Sequence, residues 1–315
     1  MNRIILSEEH NPYYNLALEE ELLRGVNSDE VILYLWQNEK TVVIGRNQNP
    51  YLECDVPQLA ANGVRLARRI SGGGAVYHDL GNLNFTFIYQ EHNKNLEQQL
   101  HVIKQAVEAL GVTVEFSGRN DLTIQGQKFS GHAFYGENGH EFHHGTLMVD
   151  VDLSQLSQVL RPSKLKMQAK GITSVKSRVV NLQQLFPSCT VNQLIDLLVA
   201  SFGEIYKDVQ EPLKYNSENY IPAQLSKYAD SKWIFGESPK YDVMLERRVP
   251  QAIIQALLYI ENGMIKRIKV HSDSLSTLSY EQVEQQFTGR VFDLHFEDQL
   301  FGAIEDLLDP SSSSS

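Results

Sequence analysis

The chain has 315 residues, 42% of them hydrophobic and 21% charged, with a formal net charge of −11. That length supports a sizeable core and predicts one large and one small domain, while the acidic balance excludes a general nucleic-acid binder. No apolar run reaches membrane-spanning length, MNRIILSEEHNPYY has no signal-peptide core, and Cys54 and Cys189 read as free thiols of a reducing cytoplasm.

Asn15 to Leu23 has a helical pattern: Leu16, Leu18, Leu22 and Leu23 are apolar and Glu19, Glu20 and Glu21 lie between them. Val31–Trp36 and Thr41–Ile44 read as two strands around the polar turn Gln37–Lys40. Gly45-Arg46-Asn47-Gln48-Asn49-Pro50 breaks the chain, and a short helix, Val56–Asn62, ends at Gly63. Val64–Ala67 then leads into Arg68-Arg69-Ile70-Ser71-Gly72-Gly73-Gly74. Three consecutive glycines let backbone N–H groups approach a ligand closely, and such a nest favours anions. On the glycines alone a plain turn would serve as well. Arg68, Arg69, His78 and Asp79 crowd the stretch and favour the anion site.

Asn84–Ile88 reads as a buried strand, Leu96–Leu110 as a helix ended by Gly111, and Val112–Phe116 as a strand. Asn120-Asp121 is a turn, and Leu122–Ile124 and Lys128-Phe129 are hairpin arms around Gly126. Asn138-Gly139 predicts a second hairpin, with Gly145–Val151 its outgoing strand. His140-Glu141-Phe142-His143-His144 fits H-E-x-x-H, but the segment reads as a strand. Its outer histidines then stand roughly 13 Å apart, too far to share a zinc ion. A helix is expected over Leu153–Leu160. Arg161–Arg178 follows, with basic Arg161, Lys164, Lys166, Lys170, Lys176 and Arg178 and no acid. This is either a solvated loop or a strip for an acidic partner or phosphates. Val191–Tyr206 is an amphipathic helix, and Ser231–Pro239 a loop with Trp233 and Phe235. Asn262-Gly263 joins two strands, and Val283–Phe287 and Phe296–Leu308 are helical. The expected division is 1–245 and 246–310, with the serine tail 311–315 disordered.

Taken together, several stretches resemble the lipoate–protein ligase A family. They are Asn15-Leu-Ala-Leu-Glu-Glu, Thr41–Pro50, Arg68–Asn82, Asn120-Asp121, Lys128-Phe-Ser-Gly, His143-His144-Gly-Thr-Leu and Lys170-Gly-Ile-Thr-Ser-Val. They keep the family's order and cover residues 11 to about 182. The resemblance implies an α/β fold: a biotin/lipoate-ligase-like mixed sheet with flanking helices, plus a small α/β C-terminal domain. It also implies a two-step reaction, in which lipoate and ATP give lipoyl-AMP and the lipoyl group then passes to a carrier lysine.

By the same resemblance Lys128 is the catalytic residue. Arg69, Gly74, Ala75, Val76, Tyr77, His78, Asn120, Asp121 and Lys128 contact ATP or the adenylate. Arg69, Lys128, Gly131 and His144 are expected at the acyl group of lipoate, and its apolar tail among residues such as Leu16, Trp36, Val43 and Ala133, a placement read from their apolar character and motif positions. Mg²⁺ arrives with ATP and no protein metal site is expected. The expected partner is a lipoyl carrier domain, an E2 or H protein, with no nucleic acid and no membrane, and the protein a cytoplasmic monomer. The family's Arg-Phe-x-x-Gly element is replaced by Arg247-Arg248-Val249-Pro250-Gln251-Ala252. A lipoyl or octanoyl transferase on the same fold, or a non-enzymatic binding module, would be the alternatives. Cysteine-dependent transferases are disfavoured, because the only cysteine beyond Lys128 is Cys189, outside any matching motif.

Overall fold

Residues 1–117, 121–155, 179–236, 241–293 and 295–308 are described by the computed structural model. The basic run at 161–178, the Lys170 motif, the expected helix beyond residue 155, Asn120 and the serine tail lie outside them.

Helix α1 (Pro12–Gly25) starts where Asn11 caps it: Asn11 Oδ1 accepts the Tyr13 N–H, and Pro12 occupies the first turn, where a missing N–H costs nothing. The helix thus begins one turn before the expected Asn15. Glu19 and Glu20 are each only 1% exposed. Three consecutive acids sweep about 200° of a helix, more than one solvent face can hold when α1 is covered on two sides. Glu20 accepts from Lys227 Nζ at 2.6 Å and Tyr228 Oη at 2.7 Å, both on the short helix Leu225–Ala229.

The main sheet has eight strands in the order β11-β1-β2-β6-β10-β9-β8-β7. These are β1 (Arg3–Ser7), β2 (Val31–Trp36), β6 (Asn82–Gln90), β7 (Glu115–Ser117), β8 (Asp121–Ile124), β9 (Gln127–Glu137), β10 (His140–Met148) and β11 (Leu213–Tyr215). β11, β1 and β2 run parallel and the remaining pairs antiparallel, so the sheet is mixed, as expected. Gln125-Gly126 and Asn138-Gly139 all have φ near +50 to +80°, the two-residue turns that β8–β9 and β9–β10 require. One sheet face packs against helices Leu96–Glu108 and Val191–Tyr206. The other packs against α1 and a second sheet.

That second sheet is the main topological departure from the sequence reading. β3 (Thr41–Ile44) does not pair with β2. It lies between β4 (Arg65–Arg68) and β5 (Val76–His78). Residues 231–235 form a helix capped by Asp230 rather than a loop. A third unit joins β12 (Val243–Arg248), β13 (Ile253–Glu261) and β14 (Met264–Ser272) to helices Glu281–Phe287 and Phe296–Leu308 around its own core. The expected division at residue 245 falls inside β12. No helix among the described residues is long and apolar enough to cross a membrane.

Candidate functional site

On the sheet face toward α1, cross-strand pairing lines up Trp36, Asn84, Thr146 and Gly131 on β2, β6, β10 and β9. The neighbouring row is Tyr34, Thr86, His144 and Ala133. Trp36, Ala133, His144 and Leu16 of α1 are all buried.

Simple alternation would put Lys128 on the opposite face, with Ser130 and His132. The register slips instead: Leu122 pairs with Ser130 but Thr123 pairs with Lys128, so β9 carries one extra residue, Phe129. Phe129 turns into the core of the opposite face. Lys128 crosses to the α1 side, a bulge re-aiming the side chain beside it. A Cβ placed on Gly131 would meet Lys128 Nζ at 2.8 Å and Cε at 3.0 Å. The ammonium group therefore lies over a row position that has no side chain. The Val180 N–H, donating to the Lys128 carbonyl at 2.9 Å, holds the backbone there.

Ser71–Gly74 links β4 to β5, with Gly73 at φ +93°. Arg69 curls into this turn. Its Nη2 donates to the carbonyls of Gly72 and Gly74 at 2.7 and 2.8 Å, its Nη1 to Val43 at 3.1 Å, and its Nε to Ser71 Oγ at 3.0 Å. Burial lowers the Arg69 pKa to about 10, an effect that Glu19 opposes. The Gly73 N–H donates to the Ser274 carbonyl at 2.6 Å, and a Cβ on Gly72 would clash with the Ser274–Leu275 backbone. So the turn's close approach is made in this structure by the third unit.

Two of the four residues expected to crowd the turn serve the fold. Arg68, 1% exposed, donates to the carbonyls of Gly45, Arg46, Gln48, Trp233 and Ile234. Asp79 accepts the N–H groups of Gly81 and Asp152. Tyr77 alternates to the far side of the small sheet, into a cluster with Val42, Ile44, Cys54 and Leu59, and can face the site only through its main chain. Val76 and His78 point the other way. Asp121 opens β8 opposite Gly131.

Glu19 was missed in the sequence. Its carboxylate accepts from Thr86 Oγ1 at 2.7 Å and pairs with His144 Nδ1 at 2.8 Å, and His144 Nε2 lies 2.9 Å from Ser71 Oγ. Arginine can only donate and carboxylate only accept. The buried chain therefore runs from Arg69 through Ser71 and His144 to Glu19, tying the glycine turn to the sheet floor. The run of three glutamates was the only available sign that one would face inward. On the other face, Ser130, His132, His143 and Gln99 form a second chain, with 2.6 Å between the two histidines. Burial lowers the His132 pKa to about 3 and that of His143 well below its ordinary value. H-E-x-x-H lies on strand β10, where His140 and His144 pair with Gln90 and Thr86. Among the described residues no three His, Cys, Asp or Glu are grouped to hold a metal ion. Cys189 is buried, and burial raises its thiol pKa.

The lipoyl protein ligase A/B catalytic domain model matches residues 11–203, and the bacterial lipoate protein ligase C-terminus model matches residues 238–302. A curated lipoate-protein ligase A of Psychrobacter cryohalolentis is 37% identical over 93% of this chain and 89% of its own. The crystal structure of P. falciparum LipL1 in complex with lipoate aligns with 97% of this chain and all of its own, at TM-score 0.78 and 26% identity. A bipartite lipoate protein ligase of Thermoplasma acidophilum, studied with its E2 lipoyl domain, covers 77% of this chain and 98% of its own at TM-score 0.65 and 27% identity. A lipoate-protein ligase A bound with ATP covers 75% and 98% at TM-score 0.62 and 26% identity.

Proposed function

The chain belongs to the lipoyl protein ligase A/B family and is a ligase, and from that premise we propose that it is an ATP-dependent lipoate–protein ligase acting in two steps. In the first, a carboxylate oxygen of lipoate attacks the α-phosphorus of ATP, and pyrophosphate leaves. In the second, a carrier lysine amine attacks the acyl carbonyl of the mixed anhydride, and AMP leaves. The observation that carries this reading is the bulge at Phe129, which brings Lys128 Nζ over Gly131 on the face shared by Trp36, Ala133 and His144. One cation beside a buried apolar face suits an acid with a long tail. Two anions must meet in the first step, so a preorganised positive charge is the main requirement. Lys128 neutralises the α-phosphate and then polarises the acyl carbonyl; it need not be a nucleophile.

In this reading Arg69, Gly74, Ala75, Val76 and the Tyr77 main chain serve the nucleotide, and Asn120 and Asp121 the adenylate. Leu16, Trp36, Gly131, Ala133 and His144 surround the acyl chain. The ATP-bound and lipoate-bound relatives support these substrates, and the relative studied with an E2 lipoyl domain supports a lipoyl carrier domain as acceptor. Mg²⁺ enters on the ATP phosphates. We further propose a cytoplasmic monomer of two domains, with 243–308 as the small one. Its Ser274 carbonyl has to leave Gly73 before that N–H can serve a phosphate.

The test uses purified protein, lipoate, ATP, Mg²⁺ and a carrier domain. Lipoate-dependent ATP–pyrophosphate exchange, followed by carrier modification with AMP release, is the expected result. Protein that makes no lipoyl-AMP, yet modifies the carrier from supplied lipoyl-AMP, would instead be a transferase.

A further inference from the structure

His78 carries a buried donor whose direction the surrounding amides fix. Asn15 Nδ2 donates to the main-chain carbonyls of Glu9 and Gln37 at 2.9 and 2.8 Å, which sets the orientation of that amide. The same nitrogen faces Asn38 Oδ1 at 3.0 Å, so the other end of the Asn38 amide is its nitrogen, and that nitrogen lies 3.2 Å from His78 Nδ1. An amide nitrogen can only donate. Nδ1 is therefore the acceptor and the ring proton sits on Nε2, which points away from Asn38. His78 is 3% exposed, and its Nε2 has no hydrogen-bond partner. Burial, with the Arg69 guanidinium adding positive charge nearby, lowers its pKa to about 3, so the ring stays neutral with one N–H to give. A buried orphan donor calls for an explanation.

Two distances say which part of a ligand this donor meets. Gly131, under the Lys128 ammonium group, is three strand spacings from Trp36, roughly 14 Å. The His78 ring stands edge-on to Trp36 at 6.1 Å between centroids. His78 closes β5, four residues along the chain from Gly74, a span of at most roughly 14 Å. An extended eight-carbon acid with a hydrogen bond at each end spans roughly 15 Å. An acid whose carboxylate is held by Lys128 thus brings its far end, not its phosphate-reacting end, to His78.

We infer that His78 is a specificity residue of the acyl pocket: its Nε2–H meets the sulfur of the dithiolane ring at the far end of lipoate and selects that acid over octanoate. The inference rests on the ligase reading above and assigns His78 to the acyl tail rather than to the nucleotide. A divalent sulfur of this cyclic disulfide is a weak acceptor and a polarisable neighbour for Trp36 and imidazole. A methyl terminus can accept nothing and would leave the donor orphaned. No bond is made or broken at this end of the substrate.

The test is calorimetric titration of the full-length protein with lipoate and with octanoate. Wild type is expected to bind lipoate about tenfold more tightly, equivalent to ~1.4 kcal/mol. His78→Phe should bring the two affinities within about twofold of each other, and His78→Gln, which keeps an N–H, should retain part of the preference. A second measurement needs no variant: in wild type the ¹⁵N signals of His78 should report a protonated Nε2, and that signal should move on lipoate but not on octanoate. Equal affinities in wild type, an equal loss of both acids in His78→Phe, or a signal that moves with ATP alone would overturn the inference and leave the ligase reading standing. Binding of neither acid by wild type would overturn the ligase reading itself.

Discussion

Gly131→Ala isolates the position of one ammonium group from the stability of the fold. The added Cβ would stand 2.8 Å from Lys128 Nζ and 3.0 Å from Cε, where ordinary contact begins near 3.4 Å. The lysine tip must retreat by at least about 0.6 Å, and misplacement on the order of 1 Å costs about 10²-fold in rate. Replacing a strand glycine also removes backbone freedom from the unfolded chain, so the melting temperature should hold or rise slightly. Gly145→Ala is the contrast, since its Cβ would meet the Gly131 carbonyl oxygen and Phe85 Cζ, both at 2.6 Å. Backbone and a core ring cannot swing away, and overpacking there costs about 1–3 kcal/mol. Lipoate-dependent pyrophosphate exchange gives kcat/KM, and calorimetry gives the melting temperature. Gly131→Ala should lose about 10² in kcat/KM with its stability intact, and Gly145→Ala should melt earlier. Near wild-type kcat/KM in a Gly131→Ala protein would refute the claim that the ammonium group works from above that glycine.

Lys128→Ala should lower exchange by on the order of 10²–10³ without unfolding the protein, because one preorganised charge serves both steps; circular dichroism and turnover check it. Arg68→Lys should lower stability by about 3 kcal/mol or more, since a lysine cannot reach carbonyls on both Gly45–Gln48 and Trp233–Ile234. A urea midpoint unchanged from wild type would contradict that. Three histidines give the protein an early acid limb: His78 and His132 have folded pKa values of about 3, and that of His143 is also depressed. The unfolded chain binds the extra protons near pH 6.5, so this stability is complete above that pH. It is lost as pH falls toward 3, at up to about 1.4 kcal/mol per pH unit for each ring. Melting temperatures should therefore start to fall near pH 6.5, above the carboxylate range, and a flat profile from pH 7 to 5 would count against neutral buried rings.

Much of the fold was legible because its signals are local. Asn138-Gly139 and Asn262-Gly263 announce turns that need two residues at positive φ, and both occur as read. Helices Val191–Tyr206 and Phe296–Leu308 also run as their apolar spacing predicts. The motif order likewise identified the ligase family. Tertiary structure alone decided the rest, because each remaining feature depends on a partner far along the chain. Strands β2 and β3, four residues apart, belong to different sheets because β6 and β4 are their partners. Arg68 staples the fold because residues 45–48 and 233–234 converge on it, whereas Arg69 bends back into its own turn. Glu19 is inside because His144 and Thr86 wait 125 and 67 residues away to share its charge. The face on which Lys128 lies was set by one bulged residue, Phe129: side chains alternate strictly along a strand, so a single extra residue reverses which side everything before it faces.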